Sequence, residues 1–173
     1  MSRGSVVEVS APSVISVDLI SLDHSPPASK EELFAQMVRQ LAEAGRIDDQ
    51  AEAVTALQAR EAMGSTYMGN GIAIPHAKSP TFATPSVSAW RFKEPMRYRS
   101  FNEEGDVSRV FMLTMPDGAD REHLKVLAEI ARMLSHDEVL ADFDAAHSGA
   151  TVATLLSEYL ANDSESTQIQ EEK

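Results

Sequence analysis

Gly69-Asn70-Gly71-Ile72-Ala73-Ile74-Pro75-His76-Ala77-Lys78 is the stretch whose reading decides the rest of this chain. Ile72 to Ile74 is a short apolar run and reads as a buried strand. Pro75 lacks a backbone donor and holds φ at about −65°, so it is expected to end the strand's hydrogen bonding. It also keeps Ile74 extended. His76 is thereby delivered at a strand end on a stiff backbone, with a ring able to point into solvent. Upstream, Gly69 and Gly71 permit a tight turn, because glycine reaches positive φ without steric cost. A fixed histidine beside open backbone suits a nucleophile that a second protein must reach. The same features also describe an ordinary loop histidine.

Working outward, the segments on either side alternate between strand and helix signals. Val17 to Asp23 alternates as a strand and is closed by Ser25-Pro26-Pro27. Ser29-Lys30-Glu31-Glu32 fits a capping box, and Leu33, Phe34, Met37, Val38 and Leu41 follow at helical spacing up to Gly45. A second helix is predicted from Asp49 to Ala62, with Val54 and Leu57 inward and Gly64 as its stop. Pro85 to Phe92 reads as a strand, Asn102 to Asp106 as a turn, and Arg109 to Met115 as the strongest strand. Asp120 caps a helix to Leu134, with Leu124, Leu127, Ala131 and Leu134 on one face. Ser135 to Glu138 reads as a second capping box, opening a short helix that buries Leu140 and Phe143. A last helix carries Leu155, Leu156, Tyr159 and Leu160. The pattern predicts a single α/β domain over residues 17–161 with a mixed β-sheet, since two strands are separated by a turn instead of a helix. Residues 1–16 read as a leader that need not pack, and 162–173 as a disordered acidic tail.

Composition narrows the function classes. The 173 residues are 43% hydrophobic and 24% charged, as in an ordinary globular domain. Lys+Arg 15 against Asp+Glu 27 gives a formal net charge of −12, which makes nucleic acid a poor partner. A protein partner with a basic patch remains compatible. There is no cysteine, which excludes disulfides, cysteine-rich zinc sites and thiol nucleophiles. No apolar run is long enough to cross a bilayer, and the first residues lack a signal-peptide core. A cytoplasmic protein without direct membrane insertion is expected.

Among five histidines, two have context. His76 follows Pro75, and His123 falls in the first turn of its helix, where unpaired N–H groups favour an anion. Both follow predicted strands, the side of an α/β sheet that gathers ligands. The alternative for His123 is a solvated helix start. Arg60 and Glu61 close the second helix. They read either as a surface ion pair of little consequence or, for Arg60, as a guanidinium fork reaching an anion near His76. Dinucleotide and phosphate-loop motifs are absent, since Gly69-Asn70-Gly71 lacks the third glycine. Two histidines without an obvious carboxylate partner make a weak zinc site.

The run Arg60-Glu61-Ala62-Met63-Gly64-Ser65-Thr66-Tyr67-Met68-Gly69-Asn70-Gly71-Ile72-Ala73-Ile74-Pro75-His76-Ala77-Lys78 resembles the phosphorylation site of the enzyme IIA component of the bacterial phosphoenolpyruvate:sugar phosphotransferase system, fructose/mannitol class. Ala119 to Leu127 resembles that family's second histidine segment, and Ala77-Lys78 is closer to the fructose branch. The likeness spans Val17 to Leu160. It implies a mixed sheet flanked by helices on both faces and a phosphohistidine relay. His76 would accept the phosphoryl group from the histidine phosphocarrier protein and pass it to a cysteine of a IIB component. Without cysteine here, that component is expected on a separate chain. Arg60 and His123 belong to the implied active site, with Ser65-Thr66 at its edge and Thr66 beside the phosphate. No metal or small cofactor is required. A homodimer is left open. The runner-up is a regulatory phospho-acceptor in which the state of His76 controls a protein partner; a metal-dependent hydrolase using His76 and His123 is the third reading.

Overall fold

Arg109 to Met115, the strongest strand signal in the sequence, lies at the centre of the sheet as the second half of β6 (Glu103–Met115). The computed structural model describes residues 14–100, 103–118 and 120–172. Antiparallel to β6 runs β5 (Ser86–Ser100), and beyond it the parallel β1 (Ile20–His24). On the other side, β3 (Ile72–Ala73) and β4 (His76–Lys78) both run parallel to β6, and β2 (Tyr67–Gly69) pairs antiparallel with β3. The sheet is therefore mixed, in the order β1-β5-β6-β3-β2 with β4 also on β6.

Two strands depart from expectation. Glu103 to Asp106, expected as a turn, pairs in register with Arg97 to Ser100. Arg97 meets Asp106 at 3.1 Å and Glu104 at 3.2 Å, and Arg99 meets Glu104 at 3.3 Å. Opposite charges facing across strands stabilise a ladder that the acidic composition alone argues against. Asn102 lies outside the described residues. Val17 to Leu19, expected as strand, is a 3₁₀ turn that buries Leu19, and β1 begins after it. Residues 1–13 of the leader also lie outside the described residues, while Ile15 is buried and Val14 O accepts from Val87 N.

The helices follow their caps. In α1 (Lys30–Glu43), Ser29 Oγ accepts from Glu32 N at 3.1 Å; in α2 (Gln50–Met63), Asp49 Oδ1 accepts from Glu52 N at 3.1 Å. Leu33, Phe34, Met37, Val38 and Leu41 are all at most 1% exposed. At roughly 1.5–3 kcal/mol per buried side chain, that face outweighs a cap worth about 1 kcal/mol. Of the face expected on α3 (Asp120–Met133), Leu127 packs against the core and Leu134, just past the helix, is buried, but Leu124 turns outward. His123, Ile130, Met133 and Leu134 are buried, while Leu124 is 67% exposed. The inward position that a leucine would fill is taken by a histidine. Ahead of α4 (Asp137–Ala145) the cap position is His136 without a side-chain bond, so the second capping box does not form; Ser135 Oγ donates to Arg132 O instead. Leu140 and Phe143 are buried as expected. The last helix, α5 (Gly149–Glu172), continues through the acidic segment read as a disordered tail, with no glycine or proline after Gly149 to stop it.

Both faces of the sheet are covered. Val110 and Met112 pack toward α1 and α2, whereas Phe111, Leu113 and Met115 pack toward α3, α4 and α5. This alternation is the strand period of two serving two cores, which explains why the run reads as continuously apolar.

Candidate active site

β3 stops at Ala73, just ahead of Pro75, and β4 resumes at His76 against the same partner strand. Ile72 and Ala73 pair with Arg109 and Val110, and His76 and Ala77 pair with Leu113 and Thr114, so one register carries through the break. Leu113 N donates to Pro75 O at 3.0 Å, so the proline costs the ladder its own missing donor, and among the described residues β4 pairs with β6 alone. His76 therefore opens a strand instead of leaving one. The turn upstream is as predicted: Gly69, Asn70 and Gly71 all have positive φ, 83°, 54° and 74°.

Along β4, Ala77 points into the core beneath α1 and α2. Strand alternation puts His76 and Lys78 together on the opposite face. The half-buried His76 ring has a defined tautomer. Its Nδ1 lies 3.0 Å from Ile74 O, and a carbonyl only accepts, so Nδ1 carries the proton. Arg60 Nε donates to Nε2 at 3.0 Å, so Nε2 presents a lone pair. Arg60 Nη1 donates to Gly64 O at 2.9 Å, which fixes the guanidinium on the end of α2. Desolvation, opposed by the bond to Ile74 and joined by the Arg60 charge, holds His76 below the ordinary histidine value. The ring is neutral and nucleophilic at pH 7.

His123 is only 6% exposed, and its ring centroid lies 5.5 Å from that of His76. Its Nδ1 is buried with no partner among the described residues. Burial first, then the nearby His76 ring and the Lys78 and Arg60 cations, lower its basicity, while Asp120 opposes them. Arg60, His76, Lys78, Asp120 and His123 line one open cleft of about 620 Å³. Met63 and Leu124, 81% and 67% exposed, also line it. Lys78 Nζ is ion-paired with Asp120.

Thr66, expected beside the phosphate, is elsewhere. It is 7% exposed, its hydroxyl donates to Glu61 Oε1 at 2.7 Å, and Tyr98 OH lies 2.9 Å away. Glu61 also accepts from Thr66 N at 3.1 Å and Ser100 Oγ at 3.2 Å, with Lys30 Nζ at 3.5 Å. So Glu61 is not a surface partner of Arg60. Its spacing is the signal that sequence reasoning passed over: Ala53, Leu57 and Glu61 recur every four residues and are the buried positions of α2. A carboxylate on a buried stripe demands hydrogen bonds. The network reaches the site through the backbone, since Thr66 O accepts from Ile74 N at 3.0 Å and Ile74 O holds the His76 ring.

Among the described residues no group of three or more His, Cys, Asp or Glu side chains is placed to hold a metal ion. No helix among them is long and apolar enough to cross a membrane. The arrangement offers a neutral imidazole lone pair, a guanidinium on it, a second imidazole and open space in front.

Residues 13–159 match the family described as phosphoenolpyruvate-dependent sugar phosphotransferase system, EIIA 2. The chain is 34% identical over 142 residues to the fructose-specific EIIA component of the phosphotransferase system of Haloferax volcanii, covering 82% of this chain and 91% of that one. It is 32% identical over 142 residues to a nitrogen regulatory protein of Bradyrhizobium diazoefficiens, covering 80% and 92%. The crystal structure of nitrogen regulatory protein IIA-Ntr from Neisseria meningitidis superposes with a TM-score of 0.74 at 29% identity, over 83% of this chain and 96% of that one. With most of its length inside that match, the chain belongs to the EIIA 2 family of the phosphoenolpyruvate-dependent sugar phosphotransferase system, whose members are phosphotransferases that work through histidine.

Proposed function

We propose that His76 Nε2 is the phosphoryl acceptor, loaded by the histidine phosphocarrier protein and unloaded onto a cysteine of a IIB component on another chain, in the cytoplasm and in the uptake of a fructose-like sugar. The observation that carries this reading is the pair of bonds on one ring: Nδ1–H to Ile74 O and Arg60 Nε–H to Nε2, both at 3.0 Å.

The Nε2 lone pair forms the new N–P bond as the donor's N–P bond breaks and its electrons return to the donor imidazole. Nδ1 keeps its proton throughout, so no base is needed. The phosphoryl group takes the lone pair that Arg60 Nε now holds, so Nε–H turns to a phosphoryl oxygen while Nη1 stays on Gly64 O, and charge accumulates on those oxygens in a loose transition state. The partly buried guanidinium acts more strongly there than it would in water. His123, across the cleft, donates to an oxygen from its ring. Met63 and Leu124 supply apolar surface around an opening that a partner can enter.

Likeness to nitrogen regulatory proteins, at 32% identity and a TM-score of 0.74, supports a second reading in which the same phosphorylation switches a protein partner. One experiment tests the chemistry and divides the roles. Incubation with phosphoenolpyruvate, enzyme I and the phosphocarrier adds one phosphate by intact mass, labile in acid and stable in base, and absent in His76→Ala. Delivery of that phosphate to a purified IIB domain supports uptake; a phosphoprotein that keeps it supports regulation. A phosphate that survives His76→Ala overturns both.

A further inference from the structure

Lys78 and Asp120 stand inside the cleft, yet the chemistry above uses neither. A carboxylate there is a paradox. Asp120 lies where it repels an incoming phosphoryl group, and in an acidic chain it adds to a charge already unfavourable to phosphate. Its ion-pair partner among the described residues is Lys78, and the pair bridges β4 and the first turn of α3. His76 and Lys78 are two residues apart on the same strand face, roughly 6.6 Å along the chain, and the lysine has a flexible four-carbon stem. Both charges stand close enough to act on the His123 ring.

We propose that Lys78 is a phosphate-responsive cation: Asp120 holds its ammonium in the unphosphorylated protein, and phosphorylation of His76 draws it onto the phosphoryl oxygens, releasing Asp120. The inference rests on His76 being the phosphorylated residue. Two observations and one general property carry it. The ion pair is exposed, with the lysine side chain 38% and the aspartate side chain 72% accessible, and exposed pairs of this kind stabilise little. A phosphoryl group brings about −1.5 to −2 charges and three acceptor oxygens, which outbids one exposed carboxylate. Arg60 is anchored to Gly64 O by Nη1, so a second, mobile cation complements a fixed one. Exchange has a consequence for partners. The unphosphorylated face shows a neutralised Lys78–Asp120 pair, and the phosphorylated face shows a bare Asp120 at the start of α3. A docking protein can therefore tell the two states apart by a charge several ångströms from the phosphate itself.

The test is the equilibrium between phosphocarrier and this chain, measured by intact mass on the full-length protein at fixed ratios of the two. Lys78→Met lowers the equilibrium constant for phosphorylation about tenfold, the size of one charge-assisted hydrogen bond. Asp120→Asn raises it two- to threefold, roughly, because the competitor for the ammonium is gone. In the Lys78→Met background, Asp120→Asn has no such effect, since there is nothing left to release. Lys78→Arg retains most of the wild-type value. An unchanged equilibrium in Lys78→Met with phosphate still on His76 overturns the exchange and leaves the carrier reading intact. So does an Asp120→Asn gain that persists without Lys78, which makes Asp120 a plain repulsive charge. A phosphate found on another residue overturns the carrier reading, and this inference with it.

Discussion

His24 and His76 stand on different strands of the same sheet and share nearly everything except reactivity. Each is half-buried, each has Nδ1 in a hydrogen bond of 3.0 Å, and desolvation holds each below the ordinary histidine value. The difference is at Nε2. In His24 that nitrogen is buried with no partner among the described residues, and the ring meets Trp90 and Phe92 edge-on, with centroids at 4.8 and 5.2 Å. In His76 it faces Arg60 and the cleft. Burial and lowered basicity therefore do not pick out a nucleophile. A presented lone pair with a cation beside it does.

The sharpest way to break that contrast is to remove each ring. His76→Ala takes no phosphate at all, whereas His24→Ala is phosphorylated at the wild-type rate when assayed below its melting temperature. Phosphate incorporation by mass reads both. A large loss of rate in His24→Ala would mean that the two sites are coupled through the sheet.

Arg60→Ala comes next, with transfer slowed about 100-fold, the usual cost of one preorganised donor on developing charge. Arg60→Lys recovers only part of the rate, because an ammonium cannot hold Gly64 O and a phosphoryl oxygen in one rigid fork. Thermal melting of the two variants stays near the wild type. Stopped-flow or quenched transfer from the phosphocarrier checks the rates.

The neighbouring residue gives the opposite profile. Glu61→Ala leaves Thr66, Tyr98 and Lys30 without their buried acceptor and destabilises by about 3 kcal/mol, read as a shift in the urea midpoint. Two adjacent residues of one helix thus separate rate from stability. If Glu61→Ala melts like the wild type, the bonds of its carboxylate to Thr66, Tyr98 and Lys30 are not what holds this end of α2 to the sheet.

The sheet and its helices were legible because the chain repeats its signals: caps at Ser29 and Asp49, two-sided apolar alternation in Arg109 to Met115, turn glycines before Ile72. That His76, Arg60 and His123 meet in one cleft was also legible, from the family resemblance of the Arg60 to Lys78 run and of the segment around His123. Contacts made by residues distant in sequence were not. The Glu61 carboxylate meets Tyr98 and Ser100 from a different element, so local periodicity shows only that it is buried. The outward turn of Leu124 was missed because leucine is the default inward residue, and here Leu124 belongs to the cleft rim while His123 packs inward. The strand at Glu103 to Asp106 depends on Arg97 and Arg99 across the hairpin, a pairing that the acidic run does not itself show.

The smallest effect concerns pH, and there the two histidines should behave alike. Both bind a proton less readily in the folded chain than in the unfolded one, where the value is about 6.5. Between the folded value and 6.5 the unfolded chain holds more protons, so stability rises with pH. It is fully present above about pH 6.5 and is lost as the pH falls toward the lower folded value. His24→Phe removes one such group and keeps an aromatic ring against Trp90 and Phe92. It also replaces an orphaned nitrogen with carbon, which costs nothing and gains up to about 1 kcal/mol at pH 8. Urea midpoints at pH 5 and pH 8 should therefore differ less in His24→Phe than in the wild type, and His76→Ala should flatten the same difference while also abolishing phosphorylation. An unchanged pH difference in His24→Phe would show that its ring is hydrated in solution, and the likeness between the two histidines would then fail at the one property used to equate them.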